Sequence, residues 1–517
     1  LTQAEGLRFA DGCVDAKRNR IIYVIEDHSV SGEAENKIGA VDLDSGEIDI
    51  LTSGIDFYAA PVISPDSSKI AFMTWSHPDM PWDESRIWLT SFDERGRPGK
   101  LIHVAGGKQN ERKISVQQPR FSPSGDLYYI SDESGWWNLY KQGRRKTIYP
   151  IDAEFGSPHW GFGLQTYEFI NSKEIVITYA IANVSKLAVL NLESVSLENI
   201  EIPYTYLSGI SLHENILVTA AASPVRFPEL IRVDLQDAST SIIKQSTTLK
   251  LDPAYYSVPE TIEFPTGNNE TAHGFYYPPT NKDYKGLERE SPPLVMIMHG
   301  GPTGATHNVL SLRTQFWTSR GFAVLDVNYR GSTGYGRIYR DKLIRQWGIV
   351  DVEDAVKGAK YLVQQNKADA NRLVIRGSSA GGYTTLSALT FADTFKAGAS
   401  HYGVSDLEAL AKETHKFESH YMDSLIGKYP ESKKVYHDRS PLMHSKLLSC
   451  PIILFQGSDD KVVPPNQSQK MANSLESQGI KVSYTVYDGE GHGFRKPATI
   501  EDSLNSELEF YLDVLPI

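Results

Sequence analysis

"VIRGSSAGGYTTLSAL", residues 374–389, is the stretch on which the fold turns. "LVI" (373–375) at its start reads as a buried strand, and "YTTLSALT" (383–390) at its end reads as a helix. Between them stand Gly377, Ser378, Ser379, Ala380 and Gly381, five small residues in one turn. The spacing G-x-S-x-G selects Ser379, which has glycines at i−2 and i+2, whereas Ser378 has Arg376 and Ala380 there. A sharp strand-to-helix turn that lifts one hydroxyl above a sheet needs such neighbours, because larger side chains would collide. An ordinary glycine-rich loop can be spelled the same way, so the surroundings decide.

The surroundings alternate between strands and helices. "PPLVMIMHGG" (292–301), "GFAVLDVNYRG" (321–331), "NRLVIRGSS" (371–379), "FKAGASHYG" (395–403) and "CPIILFQGS" (450–458) are nearly continuous apolar runs. "VEDAVKGAKYLVQQN" (352–366) and "NQSQKMANSLESQG" (466–479) carry helical spacing, and "SLNSELEFYLDVL" (503–515) reads as a final helix. Strands buried on both faces and separated by helices predict a mostly parallel α/β sheet with helices on both sides. Residues 251–517 are assigned to this domain, with prolines and tyrosines marking its border.

Residues 1–250 have another rhythm. Short runs such as "RIIYVIED", "SKIAFMTW", "DLYYISD", "EIVITYAI" and "KLAVLNL" alternate with period two and are divided by turns such as "DSG" and "PSGD". The order Pro-x-apolar-Ser-Pro-turn-strand occurs in "AAPVISPDSSKIAFMTW" (59–75) and again in "QQPRFSPSGDLYYISD" (117–132). Repeats of short strands bury their faces on one another, which predicts an all-β propeller. About five blades are visible, at 8–54, 57–107, 115–150, 156–202 and 207–245. A pair of β-sandwiches is the alternative.

Composition narrows the function. A chain of 517 residues exceeds a single core. Its net charge of −12 carries no basic footprint, so nucleic acid is not an expected partner. No apolar run spans a bilayer, and no membrane partner is expected. Cys13 and Cys450 have neither metal-ligand spacing nor a disulfide framework, although they could still pair. That fits a reducing compartment, and a cytoplasmic location is the expectation. The chain begins at Leu1 rather than Met, which leaves its natural start open.

A serine hydroxyl needs a base. Among fourteen histidines, His492 in "YDGEGHGFRKP" stands between glycines after the last strand of the α/β half, the place from which a ring can swing over Ser379. The base needs an acid to hold its tautomer. "LFQGSDDKVVPP" (454–465) offers Asp459 and Asp460; the spacing from Gly457 to Val463 and Pro464 favours Asp460 and leaves Asp459 to brace the loop. The order Ser379, Asp460, His492 is that of an α/β-hydrolase triad. "HGGP" (299–302) follows a strand and supplies an oxyanion donor at Gly301 N–H, with Ala380 N–H as the second. His299 is read as shaping that loop. No metal or organic cofactor is implied.

"HGGP", "NYRGSTGYGR" (328–337), "GSSAGGY" (377–383), "HYGVSDLEAL" (401–410), "FQGSDDKVVPP" and "GEGHGF" together resemble the prolyl oligopeptidase family of serine peptidases, in its acylaminoacyl-peptidase and dipeptidyl-peptidase branch. The resemblance implies a β-propeller joined to an α/β-hydrolase, and an exopeptidase acting on short peptides. Tyr402, Val404 and Phe417 are candidates for an apolar specificity pocket, with core packing as the alternative. The family usually has seven blades, so N-terminal blades are expected to be missing or uncounted. The acidic pair that holds a substrate amine in dipeptidyl-peptidases is not identifiable; Glu84, Glu133 and Glu154 are open, and Trp136 and Trp137 are expected in blade packing, with a position facing the cavity as the alternative.

Two rivals remain. The same triad serves an esterase or small-amide hydrolase. A propeller-based binding module with a silent hydrolase half is of another class, and the filled triad positions argue against it. A homo-oligomer is open on sequence grounds.

Overall fold

The computed structural model describes residues 2, 4–288 and 290–516. Two compact units emerge. Unit 1 comprises Leu1–Ala221, Pro228–Ser246 and Gly334–Arg337, and unit 2 comprises Ala222–Phe227, Thr247–Thr333 and Ile338–Ile517.

The N-terminal strands form five antiparallel sheets, of four, five, three, four and four strands, each made of consecutive strands. They run over 7–52, 57–114, 116–141, 167–200 and 206–245. The repeated sequence pattern has a structural cause. In both copies the residue before the first proline, Ala60 or Gln118, takes a positive φ, 49° and 53°. A register shift marks a bulge there, between Ala59 and Val62 and between Gln117 and Arg120. In both copies the serine of Ser-Pro clasps the following turn. Ser64 Oγ accepts the Lys69 N–H at 2.9 Å and Ser122 Oγ accepts the Asp126 N–H at 3.1 Å. Neighbouring sheets bury their faces on each other. Ile22, Val24 and Ile38 pack on Tyr58 and Phe72, Ala71 and Ile87 on Val116 and Leu127, and Val176 and Leu187 on Leu217 and Ile231.

Unit 2 is built on one eight-stranded sheet. Its strands are β1 (Glu260–Pro265), β2 (Thr271–Tyr277), β3 (Leu294–Met298), β4 (Ala323–Asn328), β5 (Leu373–Ser378), β6 (Ala397–His401), β7 (Ile452–Gly457) and β8 (Val482–Tyr487), in the order β1-β2-β4-β3-β5-β6-β7-β8. β1 and β2 pair antiparallel and β2 joins β4 antiparallel; the other pairings are parallel. One face, through Val295, Val324, Val374 and Ile453, buries Trp317 of helix Leu312–Thr318 and Phe510 and Tyr511 of helix Pro497–Val514. The helix Ala380–Phe391 buries eleven of its twelve residues. A helix enclosed on every side must be apolar or small all round, and "AGGYTTLSALTF" is.

Behind β4 the Arg330 side chain is 1% exposed and holds three carboxylates: Asp354 at 2.8 Å, Glu353 at 2.6 Å and Glu270 at 3.0 Å. It ties the end of β4 to helix Val350–Gln364 and to the turn between β1 and β2. Arg330→Met would leave buried Asp354 without its cation, and is expected to lower unfolding free energy by about 3–5 kcal/mol in urea denaturation. A loss below about 1 kcal/mol would show that the cluster is not holding these elements.

Candidate active site

β5 ends at Ser378 and the next helix begins at Ala380, which leaves Ser379 alone on the turn. Its φ of 57° and ψ of −122° are strained for an L-residue. The flanking glycines are steric necessities. A Cβ on Gly377 would lie 2.2 Å from the Gly381 carbonyl oxygen, and one on Gly381 would lie 2.0 Å from that of Met298.

The loop after β8 delivers His492. The Glu490 carboxylate accepts the N–H groups of Arg495 and Lys496, at 3.0 and 2.9 Å, and fixes the loop. That loop passes so close to β7 that a Cβ on Gly457 would meet the Glu490 carbonyl oxygen at 2.4 Å. His492 Nε2 lies 2.8 Å from Ser379 Oγ, and Nδ1 lies 2.8 Å from Asp460 Oδ2. Asp460 is buried, and its Oδ1 accepts the N–H groups of Val462 and Val463, each at 2.9 Å. Asp459 points to solvent; its carboxylate takes the Ser458 hydroxyl, and its N–H donates to Glu490 O. The second aspartate therefore meets the histidine, and the first braces the loop.

The HGGP loop borders Ser379, since a Cβ on Gly300 would stand 3.6 Å from Ser379 Cβ. Ala380 opens its helix, so its N–H has no intrahelical acceptor and is free for an anion in the turn. His299 stacks on Tyr329 at 4.2 Å, donates from Nδ1 to Gly300 O and accepts at Nε2 from Ser332 Oγ. Burial pushes its pKa down to about 4, which makes it a poor base near neutral pH.

Of the three pocket residues, Tyr402 sets its ring against His492 at 4.8 Å and against Phe494 at 5.2 Å. Val404 is buried, and Phe417 is half-buried on the short turn Lys416–Glu418. Glu418, on the same turn, has no motif around it that marks it in the sequence. Burial lifts its carboxyl above the ordinary value, while His415 and His492 lie near enough to pull it down. Within unit 1, Glu154 accepts the N–H groups of Trp137 and Gly336, each at 3.0 Å, and Glu84 pairs with Arg86. Trp137 is buried and gives its ring N–H to Ser115 Oγ at 3.4 Å. Cys13 and Cys450 are free thiols. Among the described residues no helix is long and apolar enough to cross a membrane.

Residues 308–516 match the Prolyl oligopeptidase family. The structure of a puromycin-hydrolyzing peptidase of Mycobacterium tuberculosis is 38% identical and superposes with a TM-score of 0.94, over 99% of this chain and 80% of that one. The chain belongs to the prolyl oligopeptidase family. Among curated members, dipeptidyl aminopeptidase BIII of Pseudoxanthomonas mexicana is 29% identical over 46% of this chain and 35% of its own length. Acylamino-acid-releasing enzyme 1 of Oryza sativa subsp. japonica is 27% identical over 43% and 29%. The match thus spans about a third of these curated prolyl oligopeptidase relatives.

Proposed function

We propose that this chain is a serine peptidase that cleaves short peptide amides through an acyl-enzyme and releases residues or dipeptides from the N-terminus. The observation that carries it is the continuous line Ser379 Oγ, His492 Nε2, His492 Nδ1, Asp460 Oδ2, with 2.8 Å at each hydrogen bond. Ser379 Oγ attacks the scissile carbonyl as its proton passes to Nε2. Asp460 keeps the Nδ1–H tautomer and stabilises the imidazolium. The N–H groups of Gly301 and Ala380 receive the tetrahedral oxyanion, worth about 3–4 kcal/mol per donor in such sites. The leaving amine takes the proton from Nε2, and water repeats the sequence on the ester. We read the five N-terminal sheets as propeller blades, since the first buries its face on the second, the second on the third and the fourth on the fifth.

Glu418 favours a substrate with a free amine: a half-buried carboxylate near His492 offers an ammonium a charge-assisted partner. Peptide nitroanilides with and without N-acetylation, set against nitrophenyl esters, test the assignment. Hydrolysis of the free-amine anilide about tenfold faster than of its acetylated form is expected, with Glu418→Gln erasing the difference. Ester turnover without peptide turnover would overturn the peptidase assignment. The likeness to a puromycin-hydrolyzing peptidase supports a second reading, in which the substrate is an aminoacyl amide such as puromycin. Puromycin turnover exceeding that of every nitroanilide would select it.

A further inference from the structure

A cavity of about 390 Å³ lies in unit 2 beside the catalytic groups, and Ser379, Asp460 and His492 are not in its lining. Its size falls within the usual range of small-molecule pockets, about 300–1,000 Å³. It sits over the C-terminal ends of β3, β4 and β5, against residues of helices Leu312–Thr318 and Pro497–Val514. Three charged side chains line it: Arg313, which is exposed, and the more enclosed Asp326 and Arg376. The register of the latter two fixes their spacing: Asp326 pairs with Ile297 across β4 and β3, and Ile297 with Arg376 across β3 and β5. Two strand spacings put their Cα atoms about 10 Å apart on one face.

Neither charge is fully served by protein. Arg376 gives Nε to Glu507 at 2.8 Å and Nη2 to His401 at 3.1 Å, and among the described residues Nη1 has no hydrogen-bond partner. Asp326 Oδ2 accepts from the Thr306 hydroxyl, and among the described residues Oδ1 has no partner. Enclosure lifts the Asp326 carboxyl to about 6, as befits an acid without a cation at contact. Glu507 already pairs with Arg376, and among the described residues no cation, Arg313 included, makes an ion pair with Asp326, so Oδ1 is left for an ammonium and Nη1 for a carboxylate. Tyr277, Val309, Phe494 and Leu504 supply an apolar wall.

We propose that this cavity is a second ligand site for a small zwitterion of amino-acid size, its ammonium on Asp326, its carboxylate on Arg376 and an aliphatic side chain on the apolar wall. Tyr402 and Phe494 also line it, and the Tyr402 ring lies 4.8 Å from His492, so an occupant touches the packing of the catalytic base.

The test is calorimetric titration of the full chain carrying Ser379→Ala, with L-leucine, N-acetyl-L-leucine and 3-methylbutylamine as probes. The readout is binding, so it stands whether or not the chain hydrolyses peptides. L-leucine is expected to fill one site with a Kd of about 1 mM. Removing either charge from the probe, or introducing Asp326→Asn, weakens binding about tenfold or more. Leu504→Trp fills the space without altering a charge and is expected to abolish binding. Should Asp326→Asn fail to fold, the probe series and Leu504→Trp still decide the outcome. Equal affinity for the three probes, undiminished binding in Leu504→Trp, or no saturation by about 20 mM L-leucine would overturn the proposal.

Discussion

Ser379→Ala is expected to lower kcat about a millionfold and to abolish labelling by a fluorophosphonate probe, with KM and melting temperature little changed. The size of the effect follows from the geometry. Among the described residues only this hydroxyl bonds to His492 Nε2, at 2.8 Å, and without it the imidazole has no proton to take and the carbonyl no nucleophile. The oxyanion donors and the binding surface are untouched, so a residual acceleration of about a thousandfold or more over water remains. Ser378→Ala is the matched control. Ser378 closes β5 and borders the neighbouring cavity rather than the imidazole, so labelling persists and kcat stays within about tenfold. A wild-type chain that takes no label would favour the silent binding module. Label retained in Ser379→Ala would place the nucleophile elsewhere.

Much of the site is legible in the sequence because it is enforced by sterics over a few residues. Gly377 and Gly381 are spelled as they are because any Cβ would strike a carbonyl oxygen, and those collisions are local to one turn. The same holds for the Ser-Pro clasps at Ser64 and Ser122, whose hydroxyls bond within five residues. Features that depend on strand order across the sheet are not legible. Nothing in the sequence says that residues 326, 297 and 376 lie in one row, and only that row brings Asp326 and Arg376 to one cavity. Tyr402 reads equally as pocket or core, yet with a φ of 40° just after β6 it sets its ring on His492. "NYRGSTGYGR" reads as a single piece of the hydrolase half. Its Gly334–Arg337 segment is instead grouped with the N-terminal sheets, where Arg337 Nη1 reaches Asp132 at 2.7 Å. Such a long-range contact leaves no periodic trace in a chain.

Asp460→Asn is expected to reduce kcat about ten-thousandfold, whereas Asp459→Asn changes it less than about tenfold. The difference between two adjacent aspartates rests on hydrogen-bond direction. Asp460 Oδ1 already accepts the N–H groups of Val462 and Val463, so the oxygen of an asparagine must occupy that side. Its NH₂ group is then forced toward His492 Nδ1. A donor facing Nδ1 requires Nδ1 to accept, which moves the ring proton to Nε2. That nitrogen then donates toward Ser379 Oγ instead of taking its proton, and the imidazolium loses its counter-charge as well. Binding changes little, so the loss should fall on kcat rather than KM. At Asp459 the same exchange touches only the Ser458 hydroxyl in solvent. Steady-state kinetics of both variants on one nitroanilide read the contrast directly. Near-normal kcat in Asp460→Asn beside a large loss in Asp459→Asn would reverse the two roles, because the tautomer argument works only for the carboxylate that meets Nδ1.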